Sequence, residues 1–122
     1  MIVRQKNGKK SVTEMPAANM THFRADQKYV EAFYPGGSLL LDDSLVSMES
    51  QLVEQGFVRI HRNCFVRADL IRECEIITVN QYGEPTNNGG GWVTLEGVNE
   101  PIRASRLHAF AIRRLLKEKA RA

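Results

Sequence analysis

Residues 57–71 read FVRIHRNCFVRADLI, and this stretch decides the fold. Two apolar runs flank a compact polar knot, His61-Arg62-Asn63. In a strand, Val58 and Ile60 face one way and Phe57, Arg59 and His61 the other. Phe65, Val66, Leu70 and Ile71 then resume the buried pattern. A polar knot between two buried segments is held stiffly and presented outward. Whether it does chemistry, binds a partner or turns a corner depends on the rest of the chain.

Working outward, the pattern on both sides is mostly extended. Residues 2–4 and 11–13 form short strands around the turn 6–9, where Asn7-Gly8 is a strong hairpin signal. Residues 15–19 hold Pro16 and make a loop or short helical turn. Residues 21–25 and 29–34 are strands separated by Asp26-Gln27-Lys28, and residues 39–41 pair back after the turn 35–38. Residues 44–55 are a helix, capped by Asp43 or Ser44, with Leu45, Met48 and Leu52 on its stripe and Gly56 at its end. Its exposed side carries Glu49 and Glu54 and no base, as suits a packing helix.

Beyond the opening stretch, residues 75–79 are a strand, 80–91 a turn-rich loop with three consecutive glycines, and 92–95 the hairpin partner. Residues 101–104 are the last extended segment, and Ser105 caps a helix to about Lys119 with Leu107, Phe110 and Leu115 on its apolar stripe. Short strands every ten residues or so, with only two helices, indicate a mostly antiparallel β domain. No repeat or linker divides it, so residues 1–122 read as one domain.

Apolar residues make up 43% and charged residues 25%, the composition of a globular chain. No apolar run is long enough to span a membrane, and the first residues lack the core of a signal peptide. The expectation is a cytoplasmic protein with Cys64 and Cys74 as buried thiols. Net charge is only +3, but Lys and Arg fall in three blocks: six in residues 1–28, four in 59–72 and seven in 103–121. Residues 29–58 and 73–102 hold none, and each carries five acids. Such segregation is the footprint of a polyanion binder.

Metal ligands at recognisable spacing, a nucleophile elbow and a phosphate-cradling glycine loop are all missing from the sequence. Neither a metal, a cofactor nor a small-molecule substrate is expected. Cys64 with His61 as its base is the one nucleophilic pair at close spacing, but Cys64 belongs with the buried Phe65 and no third group stands near. The expectation is therefore a binding domain, not an enzyme.

Nucleic acid fits the polar tips better. Arginine hydrogen-bonds guanine with two donors at once, and asparagine does the same for adenine. Arg62-Asn63 offers such groups on one loop, Ser105-Arg106 on another, and Asp26-Gln27-Lys28 makes a third tip. The C-terminal helix is too basic to ignore as a major-groove reader. A strand with Pro101 precedes it, however, where a helix-turn-helix needs a second helix. Its apolar stripe should pack on the domain or a neighbouring subunit. Two other readings remain: a protein-interaction module presenting the basic surface to an acidic partner, and, less well supported, an RNA binder.

The stretch FVRIHRNCFVRADLI resembles the signature of LytTR-type DNA-binding domains. Its flanks agree: FRADQKYVEAFYPGG and LLLDDSLVSMESQL before it, PIRASRLHAF after it. The likeness extends over residues 2–118 and lies nearest the output domains of alginate-regulator-type response regulators. It implies an elongated arrangement of small antiparallel β-sheets with two short helices, binding double-stranded DNA through loops that enter successive major grooves. Arg62 and Arg106 would then read bases, with Lys28 or Gln27 as the third reader. His61, Asn63 and Ser105 would orient the loops or contact phosphate. The resemblance also implies dimers on direct repeats in promoters, governed by a phosphorylated receiver domain. This sequence departs from that pattern by its glycine-rich 80–91 segment and by a cysteine at position 64; no receiver is expected within it, so it reads as a stand-alone domain or a fragment of a larger regulator.

Overall fold

The structure, a computed structural model, describes residues 1–6, 11–79, 81–82 and 85–121, with the side chains of 77–79, 85–89 and 121 excepted. The order is β1 (Ile2–Lys6), β2 (Val12–Pro16), β3 (His22–Ala25), β4 (Val30–Tyr34), β5 (Gly37–Leu41), α1 (Leu45–Glu54), β6 (Phe57–His61), β7 (Cys64–Arg67), β8 (Ile71–Val79), β9 (Pro85–Leu95), β10 (Ile102–Ser105) and α2 (Arg106–Arg121). Single 3-10 turns occupy Ala17–Asn19 and Ala68–Leu70. The fold is mostly β, built from small antiparallel sheets with two α-helices. The chain divides into two compact units, Met1–Val58 with Asn63–Asp69, and Arg59–Arg62 with Leu70–Ala122.

In the first unit β1 and β2 form the expected hairpin, with Ile2 opposite Pro16 and Lys6 opposite Val12. Asn7, Gly8 and Lys9 of its expected turn lie outside the described residues. The five-stranded sheet runs β5–β4–β3–β7–β6. Its apolar face packs with α1, which buries Leu45, Met48 and Leu52 as its 3.6-residue period predicts. Ser44 caps that helix by accepting the Ser47 amide at 3.1 Å. Gly56 ends it at φ +90°, a conformation that costs glycine nothing. Phe23, Phe57 and Phe65 form the aromatic centre of the core, each 1% exposed or less.

His22 is buried in the same unit. Its ring stacks on Phe33 with centroids 4.2 Å apart, and Nδ1 is hydrogen-bonded to Thr21 Oγ1 at 2.9 Å. Burial, helped by the Arg24 charge, lowers its pKa from 6.5 to about 4. The unfolded chain therefore binds this proton more readily than the folded one. His22 contributes stability in full above pH 6.5 and loses it as the pH falls toward 4. Urea unfolding between pH 7 and pH 4.5 should show this loss, and His22→Gln should flatten the pH slope in that window. An unchanged slope would assign the acid sensitivity to other groups.

The second unit is a three-stranded sheet in the order β10–β9–β8, with α2 packed on one face. It corrects two expectations. The stretch 80–91 is not a loop throughout, because β9 begins at Pro85 and carries Asn87, Asn88 and the three glycines as a central strand. Asn80, Gly83 and Glu84 lie outside the described residues. Glycine in a strand marks close approach. A Cβ on Gly91 would sit 2.7 Å from the Glu75 carbonyl oxygen and 2.9 Å from Ala109 Cβ, and one on Gly90 2.6 Å from the Ala104 oxygen. The strand from residue 75 likewise starts earlier than expected, at Ile71.

The second correction is the face of α2. Leu107, Phe110 and Leu115 are 83%, 51% and 45% exposed, whereas Ala109 and Ile112 are buried and Leu116 is half-buried. Positions 109, 112 and 116 repeat at helical spacing just as well. The smallest of them, Ala109, lies against Gly91, which lets the helix approach the sheet closely.

Candidate nucleic-acid interface

The turn Arg62-Asn63 joins β6 to β7. Two-residue hairpin loops usually need positive φ at both positions. Among the described residues no non-glycine has positive φ, so this turn is of another type. Both of its carbonyls are held from outside. Arg59 Nη1 donates to the Arg62 oxygen at 2.9 Å, and the Ala25 amide donates to the Asn63 oxygen at 2.8 Å. The knot is stiff because neighbouring elements grip its backbone, and Arg62 and Asn63 remain exposed.

In the first unit, the Ala25–Asn63 hydrogen bond sets Asn63 beside the start of the tip 26–28. That tip is closed by the Asp26 amide donating to the Tyr29 oxygen at 2.8 Å. The Gln27 amide donates to Asp26 Oδ1 at 2.6 Å, and the side chains of Gln27 and Lys28 are exposed. In the second unit, His108 joins the other two segments. Its Nδ1 is hydrogen-bonded to Ser105 Oγ. Burial and the nearby Arg59 and His61 hold its pKa below the ordinary histidine value. Ser105 thus holds an imidazole on which the charges of Arg59 and His61 act.

Arg59 and His108 are functional candidates that sequence reasoning missed. Faint signals existed for both. Arg59 shares a strand face with His61 two residues on, and His108 stands three residues after the residue preceding α2, the spacing of a capping box.

The basic block 59–72 does not act as one. Arg67 donates from Nε to the Met20 oxygen at 3.0 Å and from Nη2 to the Ala17 oxygen at 2.6 Å, and its guanidinium lies 4.4 Å from the Phe57 ring centroid. Arg72 pairs with Glu96, and Arg59 holds the turn. In the other blocks, Arg4 pairs with Glu14 at 2.9 Å, Arg24 lies over Phe33 and Arg103 over Trp92. Arg62 and Arg106 are exposed, and their guanidiniums have no partner among the described residues.

Cys64 does not fit a nucleophile. It is 3% exposed, and burial pushes its thiol up to about 12. At pH 8 iodoacetamide should leave Cys64 unmodified in the folded protein and label it in urea, as read by mass spectrometry. Rapid native labelling would show a more open site. Cys74 is half-buried, with Sγ 3.5 Å from the Ala109 oxygen, so it should react first. Among the described residues no cluster of His, Cys, Asp or Glu could hold a metal ion, and no helix is long and apolar enough to cross a membrane.

The described residues thus set exposed basic side chains on a hairpin tip and at the start of α2, on small antiparallel sheets. The sequence model of the LytTr DNA-binding domain matches residues 10–117, and the chain belongs to this family. It is similar to the positive alginate biosynthesis regulatory protein of Pseudomonas aeruginosa, 29% identical over 111 residues, which is 90% of this chain and 41% of that protein. The chain thus spans about two-fifths of that relative's length. A solved LytTr DNA-binding domain from Bacillus cereus matches with a TM-score of 0.68 over 94% of this chain and 95% of that one. At 19% identity this likeness bears on the fold.

Proposed function

We propose that this chain is the sequence-specific double-stranded DNA-binding domain of a bacterial transcription regulator acting in the cytoplasm, with both units in one domain. Arg62 and Arg106 read base edges in the major groove, with Lys28 or Gln27 as a third reader. His61, Asn63 and Ser105 orient the loops or hold phosphate. Two copies would occupy direct repeats in a promoter. One observation carries the reading: Arg59, Arg67 and Arg72 are engaged within the protein, while Arg62, on a carbonyl held by Arg59, and Arg106, at the start of α2, are exposed and have no partner among the described residues. A planar fork of donors matches guanine O6 and N7 bidentately.

Selection from random duplexes tests it. An enriched motif should emerge, and the logarithm of its affinity should fall linearly with the logarithm of salt, by about 0.9 per phosphate neutralised. Failure to enrich any motif, or a flat salt response, would transfer the basic surface to an acidic protein partner.

A further inference from the structure

We infer that the groove between the open edge of β8 and the flank of α2 is a strand-addition site for an extended, acidic and partly apolar segment of another protein. β8 is an edge strand in the order β10–β9–β8. An edge strand offers backbone donors and acceptors along its free side, and a segment laid against it extends the sheet. α2 packs over β8 and β9 more than over β10, so it forms a wall beside that edge. Between them lies an open groove of about 510 Å³, with Glu73, Cys74 and Glu75 on the strand side and Arg113, Leu116 and Lys117 on the helix side. A second groove, lined by Ile76, Phe110 and Arg114, shares Arg113 and Lys117 with the first, so the two form one trough.

The chemistry of the wall selects the occupant. Arg113, Arg114 and Lys117 are exposed and have no partner among the described residues. The Arg113 charge reaches the floor, where it acts on the Cys74 thiol. Half-exposed Phe110 lines the second groove with Ile76 and adds apolar surface to the cations there. Side chains of an added strand alternate, so every second residue would face α2 and meet cations and Phe110. Acidic and apolar residues fit those positions, and the alternate ones, beside Glu73 and Glu75 where these share a pocket with Trp92 and Thr94, take neutral residues.

A second copy fits poorly. Pairing β8 with β8 would bring the exposed Glu73 and Glu75 of two chains to one edge, and like charges across a strand pair are destabilising. Edge charges are a common guard against such self-pairing. Along α2 the trough runs from Phe110, about 6 Å past Arg106 at 1.5 Å per residue, to Lys117, about 16 Å past it. The inference rests on the sheet edge and the groove and not on the DNA reading.

The probe is the peptide acetyl-Glu-Thr-Leu-Thr-Glu-Thr-amide, titrated into the whole chain and followed by amide chemical shifts. The controls are a version with lysine in place of glutamate and a version with the alternation scrambled. Saturable shifts concentrated in residues 72–76 are expected, at least tenfold weaker with either control and with Arg113→Glu/Lys117→Glu. That double variant should keep its motif affinity for DNA within about twofold at physiological salt, where surface charges are screened beyond about 8 Å. Absent or unselective shifts would overturn the inference. So would a tenfold loss of DNA affinity in a variant whose parent binds no peptide, since the cation row would then be a phosphate track.

Discussion

Phe57→Ala should lower the unfolding free energy by about 3–5 kcal/mol, the range for truncating a buried phenylalanine. The ring is 1% exposed and meets Phe23 edge-on, with centroids 5.1 Å apart and planes at 81°. On its other contact the Arg67 guanidinium lies 4.4 Å from the ring centre. Arg67 in turn holds the Met20 and Ala17 carbonyls, so removing the ring also loosens an arginine that ties distant segments together. The loss combines transfer free energy, a cavity, an edge-to-face pair and a cation–π contact. Against a typical domain stability of about 5–15 kcal/mol it is a large fraction. Urea denaturation measures it, with Phe57→Leu as the milder control. A cost below about 1 kcal/mol would mean that the core does not close around this residue.

Arg62→Ala and Arg106→Ala should each weaken binding to the selected DNA motif by about 1–3 kcal/mol, roughly 5- to 150-fold. Each should also relax the preference at one base position, and the double variant should lose close to the sum if the two read separate bases. Lysine should not restore either position, because an ammonium lacks the planar fork that spans two acceptors. Both side chains are exposed and unpartnered among the described residues, so their removal should leave urea stability nearly unchanged. Titrations on the motif and on random duplex separate the outcomes. Equal losses on both would make these residues phosphate contacts, and no loss on either would sink the base-reading assignment. Arg59→Ala, which frees the Arg62 carbonyl, should raise the dissociation rate while Arg62 itself is intact.

The hairpins and α1 were legible because their signals are local. Strands expected at 21–25, 29–34 and 39–41 lie at 22–25, 30–34 and 37–41, the last starting inside the expected turn; Ser44 and Gly56 punctuate α1; and the paired apolar runs mark 57–67. The strand at 85–91 was not, because asparagine and glycine ordinarily signal turns. Here glycine instead admits the backbone of β8 and β10 and the methyl of Ala109. The same contact explains the misread stripe of α2. Two apolar rows repeat at helical spacing, and the bulkier one looks like the core. Packing against a glycine strand selects the row with the small residue.

From residue order alone came the class of the fold, the two helices, the turn at Arg62-Asn63 and the three blocks of positive charge. Those properties depend on neighbours within a few residues, which periodicity and turn chemistry record. Which arginines remain available depended on partners far along the chain. Arg67 meets carbonyls 47 and 50 residues away, and Arg72 meets Glu96, 24 residues away. The grip on the Asn63 carbonyl likewise comes from Ala25. Only the folded chain brings those groups within hydrogen-bonding range, and so only tertiary structure separates the arginines that hold the domain together from exposed ones such as Arg62 and Arg106.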